Sequence, residues 1–487
     1  MRSDQQNLSG EHEPSGLFGL QLATALALLL FIAGCTQTRA PTVSPPETDG
    51  GTWDAASSGG AARDAPPVPT KPAQIDEDGN DDLEDPGEGH APEHGRFEKV
   101  GTPPLALTRI CDLTLLGDAL YAAHAHQPLG LDGATVTRYR PDDPKRPFSV
   151  AFDWNRPGEP TKGGGAGQGF LRVHAIGGGL FVPDSDPPYN GLGVVEHGTE
   201  GYVFVSDAKG AFAPPRAPHY QAPVAPDLGA FADGRAGAAV LPRAYHVLDA
   251  IRFRGALYAS TGSVPPKERA WRGPSPGALH RANADGSRWL YEIDYPFPWN
   301  DTVTRLTFMV RFLDRLYVGI QDFEGRESND FLIVAPPSKD SDAGATTITH
   351  DDVRAVRVSR GGAAATLRWW VDTKVTPHRL YWIARDAEGV LLRVTTDGDH
   401  WDDVLLPAEA GRPTDVARFR DAVVVLTERG LYQLAKDGGV RELGTVTEKK
   451  SPFELSDFFC AAPLAVFRNA IYAGGQRGGT LYRFVEE

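Results

Sequence analysis

The stretch LDAIRFRGALYAS, Leu248 to Ser260, reads as two short apolar strands, LDAIRF and ALYAS, joined at Arg254-Gly255. Apolar and aromatic residues on either side of a tight, Gly-bearing turn make an antiparallel hairpin. The same pattern recurs six more times: an apolar strand, a short turn, a small residue or Arg, then an apolar–aromatic or apolar pair. The other copies are LTLLGDALYAAHA (Leu113–Ala125), RVHAIGGGLFVPD (Arg172–Asp184), TFMVRFLDRLYVG (Thr307–Gly319), TKVTPHRLYWIA (Thr373–Ala384), DVARFRDAVVVLT (Asp415–Thr427) and LAVFRNAIYAGG (Leu464–Gly475). Successive pairs lie between 43 and 77 residues apart.

Repeated hairpins with no amphipathic helical pattern between them predict an all-β ring, a seven-bladed β-propeller over residues 96–487, with six or eight blades left open. Third-strand candidates follow several copies: TVTRYRP, GYVFVSD, GALHRAN, VLLRVTT, GLYQLAK and TLYRFVE. The last of these ends the chain, so the last blade is one strand short. RFEKVG (Arg96 to Gly101), an orphan strand ahead of the first copy, is expected to complete it, resembling the strand-exchange closure of many propellers. Closure would bring Cys111 and Cys460 together, since each precedes its hairpin by a similar distance. A disulfide in an oxidising compartment and two buried free thiols are the two readings of that pair.

Two turns share the form [N/T]-x-D-G-x-x-W: Asn283 to Trp289 and Thr395 to Trp401. They resemble the Asp-box of sialidase-like propellers, shortened by one residue. The resemblance implies a hairpin between third and fourth strands, capped by Asp, with Gly at positive φ and Trp packed between blades. It does not extend to the chemistry of that family. Tyr139-Arg140-Pro141 lacks the Ile of the family's F/Y-R-I-P motif and falls late in the first repeat.

Ahead of the ring, Leu17 to Gly34 (LFGLQLATALALLLFIAG) is uncharged and mostly apolar and ends at Cys35. Ile32-Ala33-Gly34-Cys35 resembles the lipobox of bacterial lipoproteins. The resemblance implies a signal peptide over residues 1–34, and acyl chains, palmitate among them, on the Cys35 thiol. Thr36 after the cysteine implies the outer membrane. An uncleaved membrane-spanning helix is the alternative, and a segment holding only Arg2 against Asp4, Glu11 and Glu13 is an unusual start for an export signal.

Residues 35–95 are rich in Pro, Gly, Ala and acids and are expected to form a disordered stalk. The chain carries a formal charge of −15, most of it in this segment, so the ring is nearly neutral and lacks the basic face that nucleic acid requires. Asp76 to Asp85 (DEDGNDDLED) holds Asp81 and Gly87 where a calcium-binding EF-hand loop needs Gly and Glu, and it reads as a solvated spacer.

Loops leaving the second strand of each hairpin emerge on one rim, and those of the first four copies are long. They carry His124 and His126, then Asp184, Asp186, Tyr189 and Asn190, then Lys267, Arg269 and Trp271, then Asp322, Glu324 and Arg326. That rim is the expected binding face. Asp184 and Asp186 also suit a calcium ion or an acid–base pair on a glycoside, and equally suit Asp-Pro turns. The chain therefore reads as a membrane-anchored surface or periplasmic lipoprotein that binds a glycan, a peptide or an envelope partner and is more binder than enzyme. The alternatives are a polysaccharide hydrolase or lyase and an envelope assembly scaffold.

Overall fold

The computed structural model describes residues 87–125, 134–154, 169–185, 200–212, 238–242, 244, 246–262, 277–282, 289–295, 304–322, 325–336, 347–360, 364–435, 438–446, 448–455 and 459–487. All of these fall in the unit Lys71–Glu487. The apolar segment Leu17 to Gly34, Cys35 and the acidic stretch Asp76 to Asp85 lie outside the described residues.

Six of the seven quoted hairpin copies land on a pair of adjacent antiparallel strands; in Thr373–Ala384 the first half is a turn, and the partner of Arg379–Asp386 is Ala365–Asp372 just ahead of it. The first sheet runs Arg109–Leu116, Ala119–Ala125, Thr135–Tyr139 and Phe148–Asp153; the second His174–Ile176, Gly179–Pro183, Glu200–Val205 and Ala238–Pro242. The fourth runs Ala365–Asp372, Arg379–Asp386, Gly389–Thr395 and Asp402–Val404; the fifth Pro413–Phe419, Ala422–Thr427, Gly430–Leu434 and Val440–Thr445. In the sixth, Leu464–Phe467, Ala470–Gly474 and Leu481–Glu486 are followed by Gly95–Gly101, which pairs antiparallel with Leu481–Glu486 from Gly95↔Glu486 to Gly101↔Leu481.

The third sheet has eight strands, Trp289–Tyr295, Gly277–Ala282, Ala256–Gly262 and His246–Phe253 in one half and Thr304–Phe312, Arg315–Asp322, Phe331–Val334 and Val353–Val356 in the other. The expected run of separate four-stranded units thus meets five such sheets and one of eight strands. The halves of the latter join at the pair Gly262↔Arg305. Helix among the described residues is confined to two short 3-10 turns, His350–Asp352 and Ala408–Ala410.

Packing makes the arrangement propeller-like. Apolar side chains of each sheet interlock with those of the next: Tyr121 and Val136 with Val182 and Phe204, Phe181 with Leu257 and Trp289, and Tyr317 and Phe331 with Trp382. The series continues with Tyr381 and Leu392 against Val416 and Val425, and Phe419 and Leu426 against Leu464 and Phe484. It then returns to its start, since Tyr472 and Leu481 of the sixth sheet pack with Ile110 and Leu120 of the first.

The apolar–aromatic pairs explain part of this fit. Tyr121 donates its hydroxyl to the Lys209 carbonyl of the next sheet (3.4 Å). The turn receiving it is built by Asp207, whose carboxylate accepts the amides of Lys209 and Ala211. The turn at Thr395–Trp401 works in the same way. Asp397 Oδ1 accepts the amides of Asp399 and His400, each at 2.8 Å, Gly398 takes φ +78°, and Trp401 packs against Phe331 of the preceding sheet. A Cβ on Gly398 would stand 1.9 Å from the Tyr317 hydroxyl. Gly398→Ala therefore meets both a left-handed backbone and a filled space, and a loss of about 2–3 kcal/mol is expected in urea unfolding; an unchanged midpoint would contradict the interlock.

Cys111 and Cys460 form a disulfide across 349 residues, with a Cα–Cα distance of 4.8 Å and both residues fully buried. It joins the first strand of the first sheet to the segment leading into the sixth.

Candidate functional site

Three layers follow one another along the innermost strands. His246, Leu248 and Asp249 succeed each other in one strand, Arg305, Phe308 and Met309 in the next, and Arg109, Cys111 and Asp112 in the first. The middle layer is an apolar plug of Cys111, Leu171, Leu248, Phe308, Phe459 and Cys460. Each strand shifts register there, between Ile110 and Asp112, Val247 and Asp249, and Leu306 and Met309, so a bulge turns the extra residue inward.

On one side of the plug lies the rim that holds Ser185, Gly262 and Asp322. Asp184 and Ser185 follow the strand Gly179–Pro183, His246 pairs with Gly262, and Arg305 pairs with both Gly262 and Gln321. The Ser185 carbonyl accepts the His246 Nδ1–H at 2.7 Å, and His246 Nε2 stands 3.1 Å from Arg305 Nη2. A carbonyl only accepts and a guanidinium only donates, so these two contacts suit the tautomer with its proton on Nδ1. Arg305 lies over the Phe459 ring, 5.4 Å from its centroid.

On the other side, an axial cavity of about 160 Å³ is lined by Asp112, Arg172, His174, Asp249, Arg368 and Asp415, together with Met309, Trp369, Trp370 and Leu464. Drug-sized ligands fill cavities of roughly 300–1,000 Å³, so this space takes a few waters or one small group. Its charges serve the framework. Asp112 accepts the Val173 amide at 3.0 Å, Asp249 the Met309 amide at 2.6 Å and Asp415 the Leu464 amide at 2.8 Å, each from the next innermost strand.

Arg368 reaches across the axis to Asp112 (3.0 Å), Asp415 (3.5 Å) and the Cys111 carbonyl. Arg172 lies over Phe308, 3.7 Å from the ring centroid, and pairs with Asp112 at 3.5 Å. His174 Nε2 contacts Asp249 at 2.6 Å. Burial pushes the Asp415 carboxyl up to about 6, against the pull of Arg368 and two backbone amides.

The residues singled out by sequence are distributed as follows. His126, Asp186, Tyr189, Asn190, Lys267, Arg269, Trp271 and Glu324 lie outside the described residues. His124 belongs to the strand Ala119–Ala125 instead of to a loop. It is fully buried, with Nδ1 on the Arg109 carbonyl (2.9 Å) and Nε2 on Thr137 Oγ1 (2.7 Å), and burial lowers it to about 3, so it is neutral.

Asp184 is fully buried at the rim, its backbone bonded to Tyr202 and Val247. Asp322 Oδ2 accepts the amides of Arg326 and Glu327 and so shapes its own loop. Next to Asp184 in the chain is Ser185, whose carbonyl meets His246; the sequence reading passed over both residues. The axial aspartates also escaped it. Their signal is an Asp inside an apolar strand eight residues before the pair, at Asp112, Asp249 and Asp415.

No family model and no curated protein matches the chain. Several solved structures are similar to it. A streptogramin B lyase shares 9% identity at a TM-score of 0.48 over 82% of this chain and 100% of that one. A virginiamycin B lyase from Staphylococcus aureus shares 8% at 0.46, over 80% and 99%. YCF48 from Cyanidioschyzon merolae shares 13% at 0.44, over 80% and 98%. The likeness is one of chain path, and the activities in those names belong to those proteins.

Proposed function

We propose that this chain is an exported lipoprotein, anchored to the outer membrane through acylated Cys35, whose propeller binds a glycan, peptide or envelope partner at its long-loop rim. In this reading the eight-stranded sheet is two blades fused at the Gly262–Arg305 pair, which makes seven. Gly95–Gly101 is then the strand that closes the ring. Support for seven comes from the axial cavity, whose walls take residues from Arg109–Leu116, His174–Ile176, His246–Phe253, Thr304–Phe312, Ala365–Asp372, Pro413–Phe419 and Leu464–Phe467.

The observation that carries the binding site is the meeting of Ser185, His246 and Arg305, from three successive hairpin repeats, on the rim that sends out residues 186–199 and 263–276. The axial carboxylates, in contrast, are engaged by backbone amides and guanidinium groups, a framework role. Export is supported by the buried Cys111–Cys460 bond, since such bonds persist in oxidising compartments.

Anchoring is tested by growing cells expressing the full chain with labelled palmitate. Label and membrane sedimentation are expected for the wild type and should be lost in Cys35→Ser; a Cys35→Ser chain that still carries label ends the anchor reading. Binding is tested by glycan and peptide arrays probed with the full chain. Signal that survives exchange of residues 186–199 and 263–276 for short Gly-Ser linkers would end the rim reading.

A further inference from the structure

The residues just before Gly95–Gly101 are tied to the neighbouring sheet. Asp421 Oδ1 accepts the Ala91 amide at 2.9 Å, and Asp421 Oδ2 contacts His90 Nδ1 at 2.7 Å. Arg441 donates to the Pro92 and Glu93 carbonyls at 3.1 and 3.2 Å. Asp421 and Arg441 belong to the fifth sheet, one in the turn after Pro413–Phe419 and the other in the outer strand, whereas Gly95–Gly101 pairs into the sixth.

Arg420 is the hub of these contacts. Its side chain, 14% exposed, donates to the His90 carbonyl (2.8 Å), to Asn469 in the sixth sheet's turn (3.1 Å) and to Glu486 of the last strand. It also lies over Phe419, 4.6 Å from the ring centroid. The backbone there takes a φ of +54°, which a residue other than glycine holds only where its surroundings enforce it.

The turns at Arg420-Asp421 and Arg468-Asn469 lie on the face opposite the rim, since Ala422–Thr427 and Ala470–Gly474 run from one face to the other. Gly95 pairs with Glu486 at the turn end and Gly101 with Leu481 at the rim end, so the chain enters at the turn face and follows the sheet's outer edge toward the rim. A pull on the chain ahead of Gly87, resisted at the rim, is therefore directed along Gly95–Gly101. Such a pull shears the strand, and all its pairs share the load; a sideways pull would break them one at a time. Phe97 adds a stop, set edge-on against Phe453 (4.8 Å) and Phe484 (5.3 Å).

We propose that Gly87–Gly101 is a load-bearing clamp, which passes tension between stalk and rim into the fifth and sixth sheets together and keeps the propeller folded while a bound partner pulls on it. The inference rests on the anchor-and-rim reading above, which supplies the load. The Cys111–Cys460 bond backs the clamp. It joins the first sheet to the segment entering the sixth, so those sheets stay linked even after Gly95–Gly101 has been drawn away. The first failure should then release only the chain from Gly87 to Thr108, roughly 22 residues and about 70 Å when extended.

The test holds the full chain, in a Cys35→Ser background, between two beads by DNA handles on Gln74→Cys and Ser328→Cys, the second in the exposed loop after Asp322 at the rim. Cys111 and Cys460 are bonded and buried and do not compete for the handles. At constant force the first event is expected to lengthen the chain by about 70 Å, with the sheets opening later. Asp421→Ala and Arg420→Met should each shorten the wait for that event roughly tenfold, the effect of losing hydrogen bonds to a charged partner. Asp421 is exposed, so its variant should keep the parent's melting temperature and guards against a folding defect.

The inference is overturned if the first event opens whole sheets at once, or if Asp421→Ala and Arg420→Met wait as long as the parent. Neither lipid nor ligand takes part, so that result would leave the anchor and rim readings standing. Conversely, palmitate label that survived Cys35→Ser would remove the load the clamp serves and leave these waiting times unchanged.

Discussion

Replacing Cys111 and Cys460 together by alanine is expected to cost about 5 kcal/mol of stability, enough to lower the urea midpoint clearly. In the chain-entropy account a cross-link gains with the length of chain it closes, and this one closes 349 residues. The sulfurs pack among Leu171, Leu248, Phe308 and Phe459, with the Gln476 side-chain oxygen 3.3 Å from Cys460 Sγ. Two alanines should therefore leave the plug intact and act chiefly on the unfolded ensemble. Because both cysteines are fully buried, dithiothreitol at neutral pH should not reduce the native protein until it opens. Unfolding curves for the wild type, the reduced wild type and the double variant decide the matter. Coincident midpoints for all three would show that the bond contributes nothing.

Arg368→Met is expected to cost about 3–5 kcal/mol at pH 7.5, because it leaves Asp112 and Asp415 without the cation they share inside a cavity wall. The cost should shrink at pH 5, where protonated Asp415 no longer needs it. The wild type has a pH dependence of its own with the same origin. The Asp415 carboxyl titrates at about 6 in the folded state, above its ordinary value of 3.8. The native state thus holds a proton there that the unfolded chain releases earlier.

Stability from this group is fully present below pH 3.8 and is lost as the pH rises through 6, a difference of about 3 kcal/mol. Asp415→Asn should flatten that slope, and urea unfolding at pH 4.5, 5.5 and 7.5 reads it. A variant with the same slope as the wild type would assign the titration to another group.

What could be read from the sequence was whatever repeats in strands. The pairs Leu120-Tyr121, Leu257-Tyr258 and Leu316-Tyr317 are fully buried because a sheet packs on both its neighbours: Leu120 meets the sixth sheet and Tyr121 the second. The pairing of Cys111 with Cys460 was legible for a similar reason, as both hold the same place in their repeats.

The polar centre was harder to read. An aspartate between apolar neighbours, as in Cys111-Asp112-Leu113, interrupts a strand pattern. Its role appears only when the bulge before it turns the carboxylate toward the amide of the next strand. His124 misled in the opposite way: two histidines near the end of a strand resemble a loop, yet His124 lies inside the sheet with both nitrogens bonded. The turn Ser206 to Phe212 lacks the tryptophan that marked its counterpart at Thr395–Trp401. The bonds of Asp207, and not its residue pattern, show that the two are alike.

The pairing of Gly95–Gly101 with Leu481–Glu486 sets the timing of assembly. A ribosome delivers Gly95–Gly101 long before Leu481–Glu486, so the sixth sheet cannot be completed until the later strand has been made. Through that interval the Cys111 thiol waits for a partner that has not yet been translated. An oxidant that met the chain in that interval would find Cys111 without Cys460, and removing Leu481–Glu486 should leave the sixth sheet in that unfinished form.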